Sequence, residues 1–335
     1  MPAEGYEIFK TNEYGYIFTL ANLLGLVVLW LNFYMKFSIT YRIYFNRIYF
    51  IMLIILSIML VFINSGVYAI FIMFTFVVFH TIFTFYYEIM ALKFEKFETV
   101  IGLSYAGGFV ALGLLLLLSK FNLVWLAFAY SLSLIALMKL IRIDKDIEIK
   151  PVILRDIFEP KFLAEVLVMY LLGEYVEVLT AMGYYILRDT WHSNVEIERA
   201  IGIALISAFI TALLSGYMLE FLSLKLYGIL TTLTLLFLPI LLFVGIAIEV
   251  VAIFVGMSIA FYWVYFRTYL YYRYPKEEYV YRFLLFYLSS NIGGVLLYAL
   301  LFEAFRDHRI SLFILSLLLI PVIFIQFKQK GQKLT

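Results

Sequence analysis

The feature that most constrains this chain is a series of eleven apolar segments, each close to the roughly 20 residues that an α-helix needs to cross a bilayer. The segments lack the two-residue alternation of a membrane β-barrel, so each is predicted to be a helix. The sequence therefore predicts an all-α integral membrane protein with about eleven transmembrane helices, whose first partner is the lipid bilayer. The predicted spans are Tyr16 to Phe37, Asn46 to Asn64, Val67 to Leu92, Val100 to Leu118, Leu123 to Ile141, Phe162 to Leu187, Ala200 to Leu219, Tyr227 to Ile248, Val250 to Tyr271, Tyr281 to Phe302 and Ser311 to Phe327.

Composition agrees with this class and excludes others. Of the 335 residues, 65% are apolar and 14% are charged, which leaves too little polar surface to solvate a globular protein of this size. The chain has no Cys, so it has neither a disulfide framework nor a thiolate nucleophile. The net charge of +2 is spread over short loops, and no nucleic-acid partner is predicted.

The Lys and Arg residues predict the orientation of the chain. Alternating the eleven spans places 19 of the 25 basic residues on one side. Cytoplasmic loops are enriched in Lys and Arg, so that side is assigned to the cytoplasm. We therefore expect a multi-pass protein of the cell membrane, with an external N-terminus and a cytoplasmic C-terminus.

The longest predicted cytoplasmic connection divides the chain into two halves. It is charged and separates five spans from six, which predicts an N-terminal half at 1–142, a linker at 143–161 and a C-terminal half at 162–335. The halves contain similar segments. In each, a charged turn leads into a helix with paired glycines, Gly107 and Gly108 in the first half and Gly293 and Gly294 in the second. Such glycines typically allow close contact between helices.

A second pair of cytoplasmic turns, KFSITYRIYFNR and GYMLEFLSLK, also corresponds between the halves. At these residues the chain resembles the major facilitator superfamily, which carries a turn of the form G-x-x-x-D-R-x-G-R-K in each half. In the second turn Gly216, Glu220 and Lys225 occupy the glycine, acidic and basic positions. In the first turn only Arg42 and Arg47 remain.

The resemblance implies a fold and a function. It implies two pseudo-symmetric halves that transport a small-molecule solute by alternating access, with the two turns contributing to the gate. The eleven helices look like the second through twelfth of the family. The family's first helix is accordingly lost in this lineage, supplied by a partner, or encoded upstream of Met1.

Ionisable side chains inside predicted spans are costly and therefore indicate function. Glu174 and Glu177 lie near the centre of the sixth span, and their spacing places both on one helix face, together with Tyr170. We expect this face to bind substrate or protons. The alternative is a buried structural pair tied to a Tyr hydroxyl or an Arg.

Three further side chains complete the predicted site. His80, in the third span, is expected either to relay protons and bind substrate or to act as a hydrogen-bonded packing residue. Arg267, in the ninth span, is either part of the site or extends toward the cytoplasmic interface, as Glu165 does. Trp263, one turn from Arg267, favours an amphipathic or cationic solute. The resemblance implies that these helices line the central cavity.

Enzymatic functions are not supported by the sequence. The chain has three His, too few within the spans to clamp a haem, and neither a nucleotide-binding motif nor a metal-ligand cluster, so no enzyme activity, cofactor or metal is predicted. The leading hypothesis is a secondary transporter, with proton coupling through the paired acids. The alternative is a non-transporting membrane subunit that keeps the fold as an anchor or scaffold for a larger membrane complex.

Overall fold

The computed structural model of the chain describes residues 10–34, 70, 74, 84, 88, 91–92, 96–119, 163–191 and 194–328. The described residues lie mainly in α-helices, and short turns join the helices from Asn194 to Lys328. Their bounds are α1 Thr11–Tyr34, α2 Phe97–Ser119, α3 Leu163–Trp191, α4 Asn194–Phe221, α5 Leu224–Val244, α6 Ile248–Arg273, α7 Lys276–Phe305, α8 His308–Leu317 and α9 Ile320–Lys328.

Six helical segments of the described part are long and apolar enough to cross a membrane. They coincide with the sixth through eleventh predicted spans, with each end displaced by at most five residues. The prediction of apolar helices long enough to span a membrane is therefore confirmed for the C-terminal part of the chain. The segments are Leu163–Thr190, Glu196–Leu219, Leu224–Val244, Ile248–Arg273, Lys276–Phe305 and His308–Lys328.

The N-terminal part of the chain is described only in pieces. Helices α1 and α2 occupy the positions of the first and fourth predicted spans. Only isolated residues of the third span are described, and the second and fifth spans lie outside the described residues. The predicted linker at 143–161 also lies outside them, so the division into two halves stays a prediction.

Local sequence signals set the ends of several helices. Helix α5 begins after Ser223, whose Oγ accepts a hydrogen bond from the backbone N–H of Leu226 at 3.3 Å, and ends at Gly245 in the left-handed conformation (φ 70°). The Asp307 carboxylate accepts two backbone N–H groups at the start of α8. Pro321 lacks the N–H that would continue the helix, so the eleventh predicted span is divided into α8 and α9.

Small residues allow several helix pairs to approach closely. A Cβ at Gly256 of α6 would lie 2.9 Å from the carbonyl carbon of Ala204 in α4. A Cβ at Gly15 of α1 would lie 2.9 Å from the Ala299 Cβ in α7, and one at Gly102 of α2 would lie 2.7 Å from a backbone oxygen of α4. These positions hold the contacts that pack α6 and α2 on α4, and α1 on α7.

The paired glycines of the predicted repeat differ between the two helices. Gly293 and Gly294 of α7 contact α3 directly. A Cβ at Gly107 or Gly108 would meet no atom of the described residues within 4 Å, so the described part of the chain shows the expected close contact for the second pair alone. The tightly packed glycine of α2 is Gly102 instead.

Two contacts define the ends of the helical bundle. Arg273, at the end of α6, forms an ion pair with Glu165 at the start of α3, and we call this the Arg273 end. His308, at the start of α8, contacts Asp189 near the end of α3, and we call this the His308 end. Helices α3, α5 and α7 run from the Arg273 end to the His308 end, and α4, α6 and α8 run in the opposite direction.

Candidate functional site

Glu174 lies at the contact between α3 and α7. Its side chain is 7% exposed. A Cβ at Gly294 would lie 2.7 Å from both the Glu174 Cα and its carbonyl carbon, and the space beside Gly293 is occupied by the Glu174 carboxylate and the Tyr170 hydroxyl. The two glycines therefore allow α7 to approach α3 at the depth of this carboxylate.

Tyr170 lies one turn from Glu174 on the same face of α3. Its hydroxyl interacts with the Glu174 carboxylate and also lies 3.3 Å from the carbonyl oxygen of Ser289 in α7. With a single O–H, it donates to one of these acceptors at a time. The structure thus brings together Tyr170 and Glu174, two residues of the predicted site. This contact also agrees with the alternative, in which a buried acid is tied structurally to a Tyr hydroxyl.

Glu177 is buried more deeply than Glu174, at 3% exposed. Its Oε2 accepts a hydrogen bond from the Thr180 hydroxyl at 3.1 Å. Its Oε1 makes no hydrogen bond to the described residues. Burying a polar atom without a partner costs roughly 1–3 kcal/mol, and more for a charged group, so this oxygen is an expensive feature for packing alone.

Asn291 of α7 is a second buried polar group near this site, and the sequence analysis missed it. It is 0% exposed, and neither its amide oxygen nor its amide nitrogen makes a well-formed hydrogen bond within the described part of the chain. The Tyr287 hydroxyl, one turn earlier, lies beside it and also lies close enough to Glu177 to interact electrostatically. Asn291 and Glu177 therefore both interact with Tyr287.

Aromatic rings from three helices surround this region. The Tyr262 hydroxyl reaches α3, since a Cβ at Gly173 would lie 2.6 Å from it. The ring centroid of Trp263 lies 5.5 Å from that of Tyr287 and 5.9 Å from that of Tyr105 in α2. The predicted site residue Trp263 is thus part of an aromatic cluster next to the buried acids.

Arg267 forms a buried ion pair nearer the Arg273 end. Its Nη2 lies 2.8 Å from Oε1 of Glu88, and the Tyr279 hydroxyl donates to the other Glu88 oxygen at 2.7 Å. The guanidinium carbon lies 4.6 Å from the ring centroid of Tyr105 and 4.7 Å from that of Phe283. Arg267 is only 7% exposed, so the expectation that it extends toward the interface is wrong.

Other contacts link the helices at the Arg273 end. Glu165 and Arg273 pair at 2.6 Å and are both partly exposed. The Tyr272 hydroxyl donates to Glu98 of α2 at 2.9 Å, and the ring of Phe97 stacks on Tyr271. Together with the Glu88–Arg267 pair, these contacts join residues before position 100 to the C-terminal helices.

The predicted gating motif at 216–225 lies mostly in helix, because α4 ends at Phe221 and α5 begins at Leu224. Gly216 lies inside α4, where a Cβ would be 3.0 Å from the Thr99 Cα, so this glycine serves close packing on α2. Lys225 lies in the first turn of α5 and donates to the Phe327 carbonyl oxygen at 2.6 Å. Glu220 lies in α4, but its side chain is outside the described residues. Three other predicted residues also lie outside them: His80, Arg42 and Arg47.

A buried histidine cluster lies at the His308 end. The His308 ring is 6% exposed. Its Nε2 lies 2.7 Å from the Asp189 carboxylate, its Nδ1 is hydrogen-bonded to the Tyr298 hydroxyl, and the ring of Phe302 stacks on it. The cluster joins α3, α7 and α8. The position of His308 directly after the helix-capping Asp307 is the only sequence signal for it.

The geometry therefore combines two buried acids, an amide without well-formed hydrogen bonds to the described residues, an aromatic cluster and a buried ion pair at and beside the contacts of α3, α6 and α7. Comparison of the chain with protein-family models found no family that matches, and comparison with curated proteins found no match.

Proposed function

We propose that this protein is a secondary transporter of the major-facilitator type, which moves a small solute across a membrane by alternating access. The proposed architecture has about eleven transmembrane helices in two halves joined at 143–161. The observation that carries the proposal is the burial of Glu174 and Glu177 in the middle of α3, with one Glu177 oxygen unpaired within the described residues. Buried carboxyl groups destabilise a membrane helix, and a scaffold gains nothing from them, whereas a transporter uses them to bind its solute or a proton.

Proton coupling follows from the surroundings of the two acids. In the described ranges, no Lys or Arg lies within ion-pair distance of Glu174 or Glu177. An isolated buried carboxylate is most readily neutralised by a proton. We propose that binding and release of this proton accompany each transport cycle.

The contacts at the Arg273 end suggest how access alternates. Glu88 and Glu98 belong to the proposed first half, and their partners Arg267 and Tyr272 belong to the second. Rocking of the halves toward the opposite state has to break these contacts, so they act as a closed gate at this end. Packed, hydrogen-bonded interfaces of this kind have discrete arrangements instead of deforming continuously.

The proposal includes an orientation. We assign the predicted side with 19 of the 25 Lys and Arg residues to the Arg273 end, which contains the described residues Arg273 and Lys276 of that set, and we assign this end to the cytoplasm of a cell membrane. The N-terminus then lies outside and the C-terminus inside. Antibody accessibility of a tag at either terminus in intact cells tests this assignment.

The main test is transport by the purified protein in proteoliposomes. Solute-driven proton flux is measured for a panel of small solutes with the native protein and with Glu174→Gln and Glu177→Gln. The matched control is Glu277→Gln, because Glu277 is an exposed acid at the first turn of α7. The proposal expects flux for at least one solute, its loss in the two buried variants and its retention in the control.

Two outcomes would overturn the proposal. Flux that persists in both buried variants would remove the acids from the mechanism. Absence of flux with every solute, together with a stoichiometric membrane partner in a pull-down from native membranes, would favour the scaffold alternative.

A further inference from the structure

The region around Glu177 contains two buried carboxyl groups, which are negatively charged when deprotonated, and it is rich in aromatic rings. Among the described side chains of this region, Glu88 and Arg267 neutralise each other, which leaves Glu174 and Glu177 without a basic partner. A negatively charged, desolvated site favours a cation over a neutral or anionic solute of the same size.

The hydrogen-bonding groups point to a cation that has N–H donors. Glu177 Oε1 and the Asn291 amide oxygen are buried acceptors without hydrogen bonds in the described part of the molecule. The Tyr287 hydroxyl lies beside Asn291 and interacts electrostatically with Glu177, so both acceptors belong to the surroundings of the same tyrosine. Ammonium N–H groups satisfy such acceptors through charge-assisted hydrogen bonds.

The aromatic cluster favours an organic cation over a metal ion. The ring centroids of Tyr262 and Tyr287 lie 5.2 Å and 5.5 Å from that of Trp263. Tyr262 interacts electrostatically with Glu177, so this cluster lies near the acid. Hard metal ions require about six oxygen ligands, which these groups do not provide, whereas aromatic faces attract organic cations. The same cluster already holds one organic cation, since the Arg267 guanidinium lies over the Tyr105 ring.

We propose that the solute bound at this site is an organic ammonium ion, whose N–H groups bond to Glu177 and Asn291 and whose carbon skeleton packs on Tyr262, Trp263 and Tyr287. This inference names the substrate class and rests on the proposed function for its physiological meaning. The binding itself is measurable without transport.

The test uses three probes of nearly the same size that differ in charge: benzylammonium, benzyl alcohol and benzoate. Isothermal titration calorimetry of the detergent-solubilised full chain measures their affinities. We expect benzylammonium to bind about tenfold or more tightly than benzyl alcohol, which corresponds to roughly 1.4 kcal/mol, and benzoate to bind more weakly than both. The charge series is made on the native protein, so it does not depend on the folding of any variant.

Variants then assign the preference to residues. Glu177→Gln is expected to abolish the preference for benzylammonium over benzyl alcohol, and Asn291→Leu to weaken binding of both donors. Glu277→Gln, the exposed control, leaves the affinities unchanged. Equal binding of the charged and neutral probes by the native protein, preference for benzoate, or an unchanged preference in Glu177→Gln would each overturn the inference.

The outcomes separate this inference from the proposed function. Charge-selective binding of benzylammonium without movement of any solute in proteoliposomes would keep the site and reject the transporter. Glu177-dependent flux of a neutral or anionic solute, without binding of benzylammonium, would keep the transporter and reject the ammonium ion.

Discussion

The contact of Gly294 with Glu174 makes a sharp prediction about α3 and α7. In Gly294→Ala, the new Cβ would lie 2.7 Å from the Glu174 Cα, against an ordinary contact of at least 3.4 Å. The helices must therefore separate by at least 0.7 Å, which is 3.4 minus 2.7, because the obstructing atoms belong to the backbone. Overpacking of this kind costs roughly 1–3 kcal/mol, and we expect the variant to lose stability by that amount.

The matched control is Gly108→Ala in α2, the position that the predicted repeat makes equivalent to Gly294. A Cβ there meets no described atom within 4 Å. Replacing an unhindered helical glycine by alanine stabilises a helix by about 0.5–1 kcal/mol, so this variant should be neutral or more stable.

Unfolding in detergent, followed by intrinsic fluorescence during titration with a denaturing detergent, measures both variants against the native protein. The loss in Gly294→Ala should be accompanied by weaker benzylammonium binding, because Glu177 lies on α3 and Asn291 on α7, and separation of the two helices moves them apart. The argument is refuted if the two variants have the same stability, or if Gly294→Ala is as stable as the native protein.

Other predictions concern the buried polar groups and one helix cap. Arg267→Gln leaves Glu88 buried without its cation and should lower the free energy of unfolding by roughly 3–5 kcal/mol. Adding Glu88→Gln to the same chain should recover part of this loss. A double-mutant cycle of unfolding free energies measures the coupling. His308→Ala removes a ring that joins three helices, so it should destabilise the protein by about 2 kcal/mol and speed hydrogen exchange at the start of α8. An unchanged exchange rate would contradict a stabilising role for this cluster. Ser223→Ala removes the cap of α5 and should cost about 1 kcal/mol in the same unfolding assay, while Ser223→Asp should restore it.

Much of the candidate site could be predicted from the sequence because an acid within an apolar span is conspicuous. Glu174 and Glu177 were predicted on one helix face and are both buried. Trp263 was predicted beside them and lies in the aromatic cluster next to Glu177. In each case the signal is local, since the residue type and its spacing along one helix are enough.

The remainder of the site depends on contacts between helices. Glu88 and Arg267 are 179 positions apart, which is 267 minus 88, and nothing in either segment identifies the other as its partner. The role of Asn291 depends on which face of α7 meets α3. The repeat suggested equal roles for the two glycine pairs, but only Gly293 and Gly294 meet a neighbouring helix in the described chain.

The sequence by itself determined that this is a helical protein suited to a membrane, and it placed six of its spans to within five residues. It did so because the length and hydropathy of a span are properties of consecutive residues, and a bilayer selects for both. Only the tertiary structure decided the partner of Arg267, the burial of His308 and the close approach of α7 to Glu174. Those features depend on the rotation and separation of neighbouring helices, which side-chain packing sets and helical periodicity alone leaves open.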